Sequence, residues 1–419
     1  MTRTSARPTR CPDGFLWGAS TSAHQTEGAN TASDWWALEH SGLTDHIKEP
    51  SGDACDSYHR WREDMDLLAG LGFTDYRFSI EWSRIEPAPG HFSRAAIAHY
   101  RRMVEGALAR ELRPMITLHH FTAPLWFAER GGWTAPEAPE AFARYVRAAA
   151  PVFTDGVEHV CTINEPNMVA VMAAVRQTLT IGGTLPALGL PLPDPATTTA
   201  LVAAHRRAVD TIKTLAPHIR TGWSVANQAY QAVDGADDVT AAHRHPREDV
   251  FLEAARGDDW LGVQSYSRNL IGPDGPLPVP EDTERTAMGW EFYPEALGEA
   301  LRHSTAVAPG VPLVVTENGI ATDDDSRRID YTTRALASMA AAMADGADVR
   351  GYFHWSALDN YEWGSFAPAF GLIAVNRETF ARSPKPSATW LGSLNPARTT
   401  AQDDPKHPLS PVSHRSETT

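Results

Sequence analysis

Apolar positions along the chain follow two alternating rhythms. Short runs rich in β-branched and aromatic residues fall at 15–20, 75–80, 113–119, 159–163, 220–225, 260–265, 311–316 and 351–355, and each reads as a strand. Between them, stretches rich in Ala, Arg and Glu place apolar residues at helical spacing over 58–71, 95–110, 139–153, 198–215, 293–303 and 332–344. Strand followed by helix, repeated about eight times, predicts a parallel sheet, and closing that sheet gives an α/β fold, a single (β/α)8 TIM barrel. An open doubly wound sheet would bring a Gly-x-Gly-x-x-Gly first turn, which is absent.

The same rhythm sets the expected organisation: a flexible segment over 1–12, one barrel domain over 13–394 and a disordered Pro/Ser/Thr-rich tail over 395–419. A Pro-, Gly- and Thr-rich stretch at 182–199 is expected to loop over the barrel.

Composition narrows the possible partners. In 419 residues, 37 basic against 52 acidic side chains leave a formal charge of −15. Nucleic acid and anionic membrane are disfavoured, since both reward basic patches. No run approaches the ~20 apolar residues of a membrane span. The three cysteines, Cys11, Cys55 and Cys161, have neither metal-type spacing nor an even count. A reducing, cytoplasmic setting is therefore expected, consistent with a charged N-terminus that lacks an apolar stretch behind it. Self-association stays open.

Nearly every predicted strand ends in polar or aromatic chemistry: His24-Gln25, Glu81-Trp82, His119-His120, Asn164-Glu165, Gln264-Ser265-Tyr266, Glu317-Asn318 and Trp355. In a closed barrel these ends converge on one face, where active sites are built. Glu165, in Thr162-Ile163-Asn164-Glu165-Pro166, is expected to hold an extended backbone because Pro166 follows it. Glu317 precedes Asn318-Gly319, where the glycine would permit a tight turn. The two glutamates fall on the fourth and seventh strands, which face one another across the mouth. Opposed carboxyls with different surroundings suit glycosidic bond cleavage, one kept protonated and the other ionised. Arg77 could keep one of them charged. Gln25, His120, Asn164 and Glu362 offer directional polar contacts, and Trp355, Trp363, Trp126 and Phe370 offer rings, the two kinds of contact a sugar requires. Neighbouring strand residues point to opposite faces, so His119 and His120 do not make a metal site, and no metal or cofactor is expected.

The residues at 15–28 (FLWGASTSAHQTEG), 76–84 (YRFSIEWSR), 117–124 (TLHHFTAP), 162–166 (TINEP), 316–319 (TENG) and 351–363 (GYFHWSALDNYEW) together resemble glycoside hydrolase family 1, the β-glucosidase-like retaining enzymes. The resemblance covers about 15–391 and implies a retaining exo-β-glycosidase acting on small, non-phosphorylated glycosides. It implies Glu165 as acid/base and Glu317 as nucleophile. Arg77 and Tyr266 would orient the nucleophile, and Asn164 would bind the sugar 2-hydroxyl. Gln25, His120, Glu362 and Trp363 would hold the sugar over Trp355, with a carboxylate at Glu362 that repels a 6-phosphate. Some positions depart from the family pattern. The usual His-Trp is His120-Phe121, the usual Asn-Tyr-Tyr is Gln264-Ser265-Tyr266, and the stretch before Phe370 lacks the common Lys-Arg. These departures keep two alternatives in view, a transglycosylase using the same intermediate and a catalytically silent sugar-binding barrel.

Overall fold

The computed structural model describes residues 11–44, 46–180 and 183–396. Eight parallel strands close into a barrel: β1 (Leu16–Thr21), β2 (Asp75–Ser79), β3 (Arg113–Thr117), β4 (His159–Asn164), β5 (Arg220–Ala226), β6 (Leu261–Gln264), β7 (Leu313–Asn318) and β8 (Val349–Trp355). Each pairs with its neighbours in sequence, and β1 closes the ring on β8, from Leu16 opposite Gly351 to Ser20 opposite Trp355. Every strand expected from the apolar pattern is present, with ends moved by at most two residues.

The long helices are α1 (Ser57–Leu71), α2 (Arg94–Leu108), α3 (Ala138–Phe153), α4 (Pro166–Thr180), α5 (Pro195–Leu215), α6 (Asp237–Arg244), α7 (Ala296–Val307), α8 (Asp325–Ala344) and α9 (Pro386–Ser393). Six match the expected helical stretches; α4, α6 and α9 were not foreseen. Helix α4 starts at a proline, whose fixed φ and missing N–H suit the first helical position. The loop expected over 182–199 ends at Asp194, because its carboxylate accepts the Thr197 N–H at 2.7 Å and Pro195 opens α5.

The barrel interior is layered. Leu16, Met115, Cys161, Trp260, Val314 and Phe353 form a buried apolar cluster inside it, while the outward faces of the strands pack under the helices. Each fully buried large apolar side chain contributes about 1.5–3 kcal/mol. Higher in the barrel the lining turns polar: the Ser20 hydroxyl donates to the Thr316 carbonyl and the Thr316 hydroxyl to Ser224 Oγ. Two strands lose regular register near their carboxyl ends. Pairing of β4 with β5 shifts between Cys161 and Asn164, and pairing of β7 shifts between Val315 and Glu317 against β6. Such irregularities re-aim side chains, and here each lies beside a candidate glutamate.

At the far end of the domain Asn395 is buried and donates to the Gly72 carbonyl at 2.8 Å. The expected flexible segment and tail otherwise lie outside the described residues, apart from 11–12 and 396. All three cysteines are free. No helix among the described residues is long and apolar enough to cross a membrane.

Candidate active site

Glu317, on β7 and 4% exposed, is held from two sides. Arg77 on β2 donates through Nη1 to Glu317 Oε1 at 2.7 Å, and the Tyr266 hydroxyl donates to Oε2 at 2.7 Å. The second arm of the Arg77 fork donates to Asn164 Oδ1, which also receives Gln264 Nε2 at 2.8 Å. A planar guanidinium thus ties β2, β4 and β7 together. Burial pushes the Glu317 pKa up, while Arg77, Tyr266 and Gln264 act against that rise. Tyr266 has its own pKa driven well above 10 by burial and then by the Glu317 charge, so it stays a donor.

Glu165 sits on the last step before α4. Its backbone is left-handed, with φ 46°, rather than extended as the following proline suggested. The turn is fixed from both sides: the Glu165 N–H donates to the Ser224 carbonyl at 2.7 Å, and its own carbonyl accepts the Val169 N–H at 3.0 Å. A β-strand exit and a helix entry must meet within one residue, and that requirement overrides the local preference. The Glu165 pKa lies well above the usual carboxylate value, through burial first and the Glu317 charge second, with Arg77 opposing. Glu165 therefore holds its proton more tightly than Glu317, which has three partners to stabilise its charge.

A second group forms beside this pair. Gln25 reaches the Tyr361 carbonyl at 2.8 Å and Glu362 Oε2 at 3.2 Å, and the Trp355 indole donates to Glu362 Oε1 at 3.2 Å. His120 stacks on Trp355 and Trp363, at 5.6 and 6.1 Å between ring centroids. Burial keeps the His120 ring neutral, its pKa well below 6.5. Burial also raises the Glu362 pKa well above 4.5. Phe370 stands edge-on to Tyr266 at 6.0 Å and packs with Trp355 and Ala321.

Two further expectations need correction. Trp126 does not join this group: its indole donates to the Glu86 carbonyl and its ring packs against Trp82 and Phe127. It lies on the short helix Leu125–Glu129, whose direction a strand-end pattern cannot show. Gly319 keeps a φ outside the left-handed range, so no tight turn requires it. Its missing Cβ instead admits the Trp355 carbonyl oxygen, which an added Cβ would meet at 2.0 Å.

The structure adds residues that the reading of strand ends left out. Gln264 was read as a strand-end polar residue and a departure from the family pattern, with no role assigned, yet it links Asn164 to the glutamate pair. Trp290, on a loop, contacts both Tyr266 and Phe370, and Trp35 and Phe121 stand edge-on to Trp363 at 4.8 and 5.0 Å. A left-handed Phe121, φ 65°, turns its ring off the β3 direction. His119 points away from His120 into Trp133 and Phe142, as the strand alternation required. Among the described residues, Glu248, Asp249 and His303 have metal-like spacing. Their atoms are already engaged, Glu248 by Asn227 and the Gln228 N–H, and Asp249 by His303 at 2.6 Å.

The site thus offers one acid that keeps its proton, one carboxylate clamped by donors, and rings and amides alongside. Comparisons with known proteins agree in kind. The chain matches the sequence model described as Glycosyl hydrolase family 1 over residues 7–257 and 272–399. It is 30% identical to β-glucosidase A of Thermotoga maritima, with 91% of this chain and 97% of that one aligned. It is 32% identical to a bifunctional β-D-glucosidase/β-D-fucosidase of Bifidobacterium breve, covering 90% and 96%. Its fold is similar to the crystal structure of β-glycosidase BGL167, with TM-score 0.83 and 42% identity over 96% of this chain and 99% of that one.

Proposed function

Since the chain belongs to glycosyl hydrolase family 1 and is a retaining β-glycosidase acting on O-glycosyl bonds, we propose that Glu317 is its nucleophile and Glu165 its general acid and base. The observation that carries this assignment is the unequal treatment of the two carboxyls. Glu317 is gripped by Arg77 and Tyr266, which suits an ion aimed at one atom. Glu165 is buried against that negative charge, which suits an acid that must arrive protonated.

In the first step Glu317 attacks the anomeric carbon as Glu165 gives its proton to the glycosidic oxygen. The aglycone leaves as an alcohol, and a glycosyl ester on Glu317 remains. Glu165, now a carboxylate, takes a proton from water, and the resulting hydroxide attacks the same carbon and frees Glu317. Two inversions give net retention. The Asn164 oxygen is occupied by Arg77 and Gln264, and its amide nitrogen, which reaches His120 Nε2 at 3.4 Å with one proton, has the second to donate toward the sugar 2-hydroxyl. Gln25, His120, Glu362 and Trp363 hold the remaining hydroxyls, and Trp355 supplies the stacking face. Arg77 is committed to Glu317 and Asn164, so it is not free to pair with a phosphate. Terminal neutral β-D-glucosyl residues are the substrate class this favours, in line with the relatives' names. Proton NMR of aryl β-D-glucoside cleavage should show the β-anomer of glucose first; α-glucose as first product would overturn the double displacement.

The titrations set a pH signature. The rate falls in acid as Glu317 gains a proton and falls in base as Glu165 loses one, so kcat/KM should be bell-shaped. Glu165→Ala, assayed with a dinitrophenyl glucoside whose leaving group needs no proton, should lose the basic limb and keep the acidic one. A surviving basic limb would assign that titration to another group.

A further inference from the structure

Trp363, assigned above to the sugar, is stacked on a buried ion pair that the reaction does not use. The His24 ring lies parallel to the Trp363 indole, with 5.8 Å between centroids and 2° between planes. His24 Nε2 donates to Glu39 Oε1 at 2.9 Å, and both side chains are fully covered. The other ring nitrogen, Nδ1, accepts from Asn30 Nδ2 at 3.0 Å, and Ser83 in turn donates to Asn30 Oδ1 at 2.6 Å. The imidazole is therefore tethered at both nitrogens and cannot turn in its own plane. Ser51 also donates to Glu39, through its N–H at 3.0 Å and its hydroxyl at 2.7 Å. Burial alone would raise the Glu39 pKa, but the bonds from His24 and Ser51 outweigh it and hold the carboxyl below its ordinary value, so it stays ionised.

A buried charged pair is an expensive way to back an aromatic ring, since apolar groups of like volume are often as stable. Apolar packing does not fix a lateral position, because stacked rings tolerate offsets. Directional bonds at the ring edges do fix it. Trp363 needs such support: its backbone is left-handed, φ 52°, a conformation that persists only where the surroundings impose it. The short helix Asp34–Glu39 supplies two of those surroundings, Trp35 edge-on to the indole at 4.8 Å and Glu39 at its last position. From Trp363 the near-parallel contacts continue to His120 and from His120 to Trp355, at 12° and 15°. Resting on the assignment of Trp363 to the sugar, we propose that His24 and Glu39 are positioning residues: they fix the indole so that its N–H meets a glycone hydroxyl, and they set affinity for the sugar without touching it.

The test uses 4-nitrophenyl β-D-glucoside. His24→Phe keeps a flat ring on the indole and removes both tethers. His24→Phe combined with Glu39→Gln does the same while leaving Ser51 an uncharged acceptor, so it serves where the single variant fails to fold. An indole that holds the sugar equally in the ground and transition states contributes uniform binding. KM should therefore rise about tenfold, the size of one hydrogen bond, with kcat within about threefold of wild type. The effect should run through Trp363: in a Trp363→Phe background the same double substitution should change KM by less than about twofold. A comparable rise in both backgrounds, an unchanged KM in the double variant, or a loss confined to kcat overturns the proposal. Trp363→Phe alone should also raise KM. If it does not, the assignment of Trp363 to the sugar falls and the proposal with it, while the roles of the two glutamates, read from the product anomer, still stand.

Discussion

Replacing Glu317 with alanine should lower kcat/KM for aryl β-D-glucosides by roughly 10⁴-fold or more, the scale seen when a nucleophile is deleted from a working site. Alanine fits the strand, but the variant leaves the buried Arg77 with Asn164 as its remaining partner, so a stability loss of about 3–5 kcal/mol accompanies the lost rate and folding is checked by circular dichroism. Arg77 and Tyr266 then line an empty space under the anomeric carbon, of a size to admit a small anion. Azide should restore turnover by entering from that face. A single displacement inverts the centre, so the product expected is the α-glucosyl azide. The matching variant gives the opposite stereochemistry: in Glu165→Ala the nucleophile still acts first, and azide attacking the ester yields the β-azide. Chromatographic separation of the two azides reads the assignment directly. Were both variants to yield the same anomer, the roles given to Glu317 and Glu165 could not stand.

The second large effect is expected at Arg77. This side chain is fully buried and bonded to Glu317 and Asn164 together. Arg77→Met leaves the Glu317 carboxylate without its cation, which costs about 3–5 kcal/mol of stability for a broken buried pair. Activity should fall roughly 10²–10³-fold, as when one preorganised donor is lost. The sign of the pH effect follows from the charges. With Arg77 gone the Glu317 pKa rises further, so the acidic limb of the rate profile moves to higher pH. Stability should behave in parallel: a raised carboxyl pKa favours the folded state at low pH and is a growing burden as pH rises through it. Denaturant midpoints of the variant should therefore lie closer to wild type at pH 5 than at pH 8. Arg77→Lys should not restore the rate, since one ammonium cannot span Glu317 and Asn164 as a planar fork does. A lysine variant within threefold of wild type would show that charge alone is enough.

How far the sequence reveals this arrangement depends on the element. The strands are legible because burial on both sides makes each a compact apolar run with polar chemistry at one end, and the convergence of Glu165, Glu317, Asn164 and Gln25 follows from barrel closure. Helix α4 is hidden because Pro166 was weighed as the end of a strand and not as the first residue of a helix. The same oversight gave Glu165 the wrong backbone. Trp126 and Phe121 show the other limit: both follow β3, and only the loop geometry decides that Phe121 joins Trp363 while Trp126 turns to Glu86. Gln264 was visible as an unusual residue, but its bond to Asn164 links side chains 100 positions apart, which no local pattern encodes.

Gly319 connects two parts of the site that are otherwise described separately. Because it has no side chain, the strand that bears Glu317 rests its backbone against the carbonyl of Trp355. The attacking carboxylate and the floor beneath the sugar are consequently set against one another like two jaws of a vice with no spacer between them. Adding a single methyl there would open the jaws and misplace the sugar relative to its attacker, without altering any group that touches it. Efforts to retune this enzyme toward other sugars are therefore better directed at its outer rim, where residues can change without moving that shared seat.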